Sequence, residues 1–206
     1  EPETEKSNVV EGIKGALKYK HLVLGIIAIF FYVGIEVGIP GQLLFYLGKP
    51  VADGGVLGSV AIAGVIAGFY WLLMLVGRLT SAFISGAVSS RAQLTTVSAV
   101  AIVLLVSAIF MPEASKITLA GAEVPFKVVL IIACGICTSV MWGVVFNLAT
   151  EGLGKYTAAA SGLFMTMVVG GGVMPFIQNI AEILNYFIAC LTTGLLIDFF
   201  QILNGK

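Results

Sequence analysis

The sequence predicts an all-α membrane protein of six transmembrane helices. Three observations carry that prediction. Hydrophobic residues make up 59% of the 206 positions and charged residues only 11%, about half the charge of an average soluble domain. Mean hydropathy is +1.06, far above the range of water-soluble globules. The apolar residues also fall into six long windows almost free of charge, each near the ~20 residues that cross ~30 Å of hydrocarbon. At that depth every backbone group must be paired inside the protein, which leaves helices or closed barrels. Barrel strands alternate apolar and polar residues, and these windows do not.

The spans are expected at about 22–48, 54–87, 92–112, 126–150, 156–180 and 183–203, within a membrane bundle covering 21–206. The first window contains one charge, Glu36, and the last contains one, Asp198; the intervening windows contain none across 54–77, 92–112, 128–150 and 156–181. Residues 1–20 are polar and read as a cytoplasmic linker. Within it Val9, Val10, Ile13 and Leu17 share a helical face opposite lysines, the pattern of a helix lying on a membrane surface. No apolar signal-type core precedes the first span, and the leading Glu1 suggests a piece of a longer polypeptide or a trimmed product. Six spans put both termini on one side. That side carries Lys6, Lys14, Lys18, Lys20, Arg78, Arg91, Lys155 and Lys206 against Lys49, Lys116 and Lys127 on the other, so the excess of positive charge places both termini in the cytoplasm. The longest outer loop is 112–125. His21 reads as a boundary residue.

Several classes are excluded by composition. Eleven basic and eleven acidic residues leave no surplus to neutralise phosphates, so no nucleic-acid partner is expected. Three cysteines, all in apolar stretches, make no secreted disulfide framework. Cys134 and Cys137 have C-x-x-C spacing but no second ligand pair or nearby His, so packing is the reading and no metal is expected. No cofactor motif occurs: Gly170-Gly171-Gly172 lacks the Lys-Ser/Thr of a phosphate loop. The lone His21 at a span edge argues against an intramembrane protease, and zinc hydrolysis lacks a ligand set.

Glu36 is the most informative residue. It lies sixteen residues beyond Lys20, roughly 24 Å of helix rise, near mid-depth. A carboxyl group there is costly and faces a cavity or a partner. It reads as a substrate-binding or proton-handling group, or alternatively as a protonated acid hydrogen-bonded between helices for packing. Tyr32 and Gln42 could share its face. Gly34 and Gly38 form a small-xxx-small pair that admits a close neighbour, and Pro40 should kink the helix or end its regular ladder. Trp71 and Trp142 fall at a depth similar to Glu36, where an indole suits stacking on a sugar ring or core packing; Asn147 is a weaker candidate near the inner end. Arg78 needs a partner in the membrane, with Glu36 and Asp198 both eligible, and reads as an ion-pair or gating residue. Gly170, Gly171, Gly172 and Pro175 weaken one helix ladder and suit close packing or a rocking motion.

The stretch Phe31-Tyr32-Val33-Gly34-Ile35-Glu36-Val37-Gly38 resembles the seventh helix of the fucose permease-like sugar transporters of the major facilitator superfamily. Gly77-Arg78-Leu79 followed by Ser89-Ser90-Arg91 resembles their eighth helix and next loop, although no Asp stands where the family's acidic loop signature would. Residues 152–157 resemble the loop after helix ten, and Val168 to Pro175 resemble helix eleven. The matches run in order from about residue 20 onward. The resemblance implies the C-terminal six-helix half of a twelve-helix carrier in a bacterial inner membrane, moving fucose, glucose, galactose or a related sugar, commonly with H⁺. It implies a missing N-terminal half as partner and carries a substrate-site role to Glu36. The expected function is therefore proton-coupled sugar transport by alternating access, not enzymatic chemistry. The competing reading is a structural or assembly subunit of the membrane.

Overall fold

A computed structural model describes residues 9–84 and 86–180. The first part of the expected linker, the span at 183–203 and Asp198 lie outside the described residues. Seven α-helices and one short hairpin follow in order: α1 (Val9–Ala16), α2 (Lys20–Gly48), α3 (Val60–Ile84), α4 (Ser90–Phe110), β1 (Lys116–Leu119), β2 (Ala122–Pro125), α5 (Lys127–Thr150), α6 (Thr157–Thr166) and α7 (Gly170–Ile180). Four single helices, α2 to α5, are long and apolar enough to cross a membrane, and a fifth stretch of that kind, Gly154–Asn179, is made of α6 and α7 joined by one 3-10 turn. The bundle is that of an integral, multi-pass membrane protein.

The structure adds three features to the sequence reading. The second apolar window opens at 54, but α3 starts only at Val60. Residues 51–53 form a 3-10 turn instead, and Gly54 and Gly58 take positive φ, a conformation that stops a helix from propagating. The loop at 112–125 folds into an antiparallel hairpin with Lys116 opposite Pro125 and Leu119 opposite Ala122. Its two-residue tip, Ala120-Gly121, has φ of 50° and 79°, the double positive φ that matches strand twist in tight hairpins. Finally, α2 runs unbroken through Pro40 to Gly48. Pro40 has no N–H, so the carbonyl of Glu36, one turn earlier, loses its helical donor without the helix ending.

Small residues set which helices touch. A Cβ on Gly170 would collide with the Phe30 carbonyl, one on Gly34 with Met174 and one on Gly38 with Gln178. These pairs advance together by four, so α2 and α7 pack in parallel, one helical turn per contact. A Cβ on Gly135 would meet the carbonyl of Tyr70, and one on Gly77 would strike Ser139, which sets α3 parallel to α5. Gly25 faces Ala149, and α2 runs antiparallel to α5. With water absent on the outside, such close backbone approach is what holds membrane helices together. Gly64 and Gly68, spaced in the same way, meet nothing within 4 Å among the described residues.

α1 docks on the start of α6 rather than standing apart. Gly12 approaches Ala159, Gly15 approaches the ring of Tyr156, and Ala16 is fully buried. Beside it His21 Nε2 lies 3.0 Å from the carbonyl of Glu151. At the opposite end Lys127 pairs with Glu113 and sits 4.8 Å over the ring of Tyr46, tying the hairpin loop to α2.

Candidate functional site

The helix α2 presents Tyr32 and Glu36 on one face, four residues apart, which on a helix makes them neighbours. Glu36 Oε1 accepts a hydrogen bond of 2.8 Å from Arg78 Nη2 on α3. Glu36, one of the two partners left open by the sequence, pairs with Arg78; the other, Asp198, lies outside the described residues. The pair is lopsided. The Glu36 side chain is 10% exposed and that of Arg78 is 52% exposed, so the carboxylate is committed to the interior while the guanidinium keeps free edges.

Next to the pair lies a hydroxyl cluster centred on Thr138 of α5. Its hydroxyl donates at 3.2 Å to the carbonyls of Cys134 and Gly135. A threonine has only one hydroxyl proton, so the Tyr70 hydroxyl, 2.8 Å from Thr138 Oγ1, must be the donor there. Tyr32 donates at 2.8 Å to the Thr138 carbonyl. Both tyrosines are fully buried, and this one residue accepts from both. It joins α2, α3 and α5 just beneath the ion pair. Sequence reading passed over Tyr70 and Thr138; three hydroxyls at similar depth in otherwise apolar helices were the available signal.

Aromatic rings continue the cluster. Tyr32 lies 6.2 Å from Trp142, Trp142 is edge-on to Phe164 at 5.8 Å, and Phe164 is edge-on to Phe146 at 5.1 Å. Trp142 therefore belongs to the group around Glu36. Trp71 does not. It is 46% exposed and touches Tyr70 edge-on at 5.7 Å, on the far side of the buried tyrosine. Gln42 is also elsewhere: its amide donates at 3.1 Å to Asn179 and ties α2 to α7. Asn147 sits on the wall of a cleft of about 320 Å³ that it shares with Arg78, Ser139 and Trp142.

The helix-weakening residues have separate duties. Gly170 lies against the Phe30 carbonyl and Gly171 against Val33, whereas Gly172 meets nothing within 4 Å among the described residues. Pro175 lies inside α7, five residues after its start. Cys134 and Cys137 are buried, and Cys134 Sγ points to the Leu130 carbonyl at 3.4 Å. Among the described residues no three His, Cys, Asp or Glu come together as a metal site.

Solved structures have the same fold. The E. coli fucose:proton symporter superposes with a TM-score of 0.74 at 18% identity, covering 94% of this chain and 44% of that one. A major facilitator superfamily transporter in the outward conformation gives a TM-score of 0.70 at 18% identity, covering 91% and 43%. In sequence the chain is related to the glucose/galactose transporter of Brucella abortus, with which it is 34% identical over 179 residues, 87% of this chain. A second Brucella abortus strain carries a glucose/galactose transporter matched to the same extent. The chain spans about 40% of the length of these curated relatives. No protein-family model matches it.

Proposed function

We propose that this chain is the C-terminal half of a proton-coupled sugar carrier of the fucose, glucose and galactose class. It works by alternating access with an N-terminal six-helix half, in a bacterial inner membrane with both termini in the cytoplasm. Kinship to glucose/galactose transporters supports the cargo. The observation that carries the site is the Glu36–Arg78 pair, a carboxylate and a guanidinium held together between two apolar helices.

The geometry suggests how the site acts. Arg78 has five N–H donors, and its 2.8 Å bond to Glu36 is made through Nη2. The remaining edges of this half-exposed side chain are available to sugar hydroxyls. A proton arriving on Glu36 cancels its charge and loosens its hold on Arg78, so protonation and the placing of the guanidinium are linked. Trp142 offers an apolar ring face for the C–H side of a sugar, and Asn147 an amide for its hydroxyls. Tyr32 holds Trp142 and Glu36 in register, because its own proton is committed to Thr138. Trp71 and Gln42 act from the rim. Gly170, Gly171, Gly172 and Pro175 let α6 and α7 shift against α2 as the halves rock.

The test is proton-driven uptake of labelled glucose, galactose and fucose into vesicles containing the full-length protein, with and without Glu36→Gln. Loss of uptake, or uptake that no longer follows the pH gradient, is expected. Unaltered uptake and pH dependence would return Glu36 to a packing role and favour the structural-subunit reading. Absence of uptake of all three sugars by the unmodified protein would sink the cargo assignment.

A further inference from the structure

The cleft beside Arg78 has a character unlike the rest of the bundle. It runs between α3, α4 and α5 and is lined by Arg78, Ser81, Gln93, Ser139, Trp142 and Asn147 among others. At the other end of the bundle a cleft of about 220 Å³ is lined chiefly by Ile39, Leu105, Ala108, Ile109 and Ile131, a surface suited to hydrocarbon. The cleft at Arg78 instead offers a guanidinium, two amides, an indole and hydroxyls.

Gln93 gives the second, independent indication. The residue is only 6% exposed. Its Nε2 donates to the Val88 carbonyl at 2.8 Å, while its buried Oε1 accepts from nothing among the described residues. A buried amide oxygen without a donor is destabilising, and a membrane interior supplies none. The volume at hand far exceeds the ~10–15 Å³ that one water requires, and Ser139, Asn147 and Arg78 provide the further polar partners an ordered water needs.

We infer that this cleft is a water-filled chamber, entered from the end of the bundle that carries the α3–α4 turn, through which water and hydronium reach the Glu36–Arg78 pair. Arg78 is the shared member: it lines the chamber and binds Glu36. Gln93 Oε1 accepts from the water inside. The chamber gives Arg78 somewhere aqueous to turn when Glu36 takes a proton. It does not depend on which solute is carried.

The experiment uses the full-length carrier with its native cysteines replaced by alanine and one cysteine returned at a time. Gly143→Cys and Asn147→Cys lie on the chamber wall, and a Cβ at Gly143 meets nothing within 4 Å among the described residues. Gly86→Cys, in the α3–α4 turn and equally unobstructed, serves as the aqueous reference. Val103→Cys, on the exposed apolar face of α4, serves as the lipid reference. A membrane-impermeant, positively charged methanethiosulfonate is added from the side on which Gly86→Cys reacts. Both chamber cysteines are expected to react at least tenfold faster than Val103→Cys. Reaction at both positions within tenfold of Val103→Cys would overturn the chamber. If one of the two variants fails to express, the other decides alone. Sugar uptake by the unmodified protein is a separate readout: fast labelling without uptake sinks the sugar reading and leaves the chamber, and uptake without labelling does the reverse.

Discussion

Removing either end of the Glu36–Arg78 pair should have unequal consequences, and the inequality can be worked out from exposure. At 2.8 Å two unit charges attract by about 6 kcal/mol at an effective dielectric of about 20. Most of that is offset by the desolvation of both groups, so the gross figure is not the contribution to stability. What differs is the state left behind. Arg78→Gln strands a carboxylate whose side chain is 10% exposed, a case close to breaking a buried pair, which costs about 3 kcal/mol or more. Glu36→Gln strands a guanidinium that is 52% exposed and lines the cleft inferred above to hold water; with water there, the cost should approach that of an exposed pair, about 1 kcal/mol or less. The double variant should cost less than the two singles added together, because it strands no charge. The assay is unfolding of the full-length protein by SDS titration, followed by tryptophan fluorescence, for all four members of the cycle. Equal costs for the two single variants would mean that the difference in exposure does not govern the outcome, and strict additivity in the double would mean that the two charges do not interact; either would refute the reasoning.

Other substitutions test the packing. Gly170→Val pushes two methyl groups at the Phe30 carbonyl; overpacking of this kind costs about 1–3 kcal/mol, read as a lower SDS midpoint, whereas Gly172→Val, which meets nothing within 4 Å among the described residues, should lower the midpoint less. Tyr32→Phe and Tyr70→Phe each delete one donor to Thr138 and should cost about 1 kcal/mol each by the same titration, with clear non-additivity in the double variant because they share an acceptor residue. Trp142→Ala removes a ring packed against Tyr32 and Phe164 and should cost about 3 kcal/mol or more. Trp71→Ala should cost well under half as much, because nearly half of that side chain is already exposed.

The glycine pair at 34 and 38 shows how far sequence spacing reaches. Small residues four apart predict a close neighbour, and α7 lies there, with Met174 and Gln178 against those two positions. The same spacing at Gly64 and Gly68 faces nothing within 4 Å among the described residues. The motif states that a helix could approach; whether one does depends on how each helix is rotated, and that is decided by all its contacts together. Pro40 offers a similar lesson. Its missing N–H is certain from the sequence, but α2 continues past it, because the freed carbonyl costs less than breaking a helix packed along both halves of its length.

Hydropathy alone determined that these segments must be helices long enough for a membrane, since in hydrocarbon each backbone N–H and C=O needs a partner within reach and local helical pairing is what a single apolar run can supply. It also singled out Glu36 and Arg78, because a charge among apolar residues is conspicuous in one dimension. Rotation about each helix axis was not encoded in any such local pattern. Trp71 and Trp142 were matched in depth, yet one packs against Tyr32 and Phe164 and the other is nearly half exposed. Arg78 had more than one acid within conceivable reach, and only the packing of α3 against α2 and α5 delivered it to Glu36. The hydrophobic effect that fixes depth is non-directional, whereas the close approach of glycine-bearing faces is strongly directional, and so the bundle's assembly chose the partners.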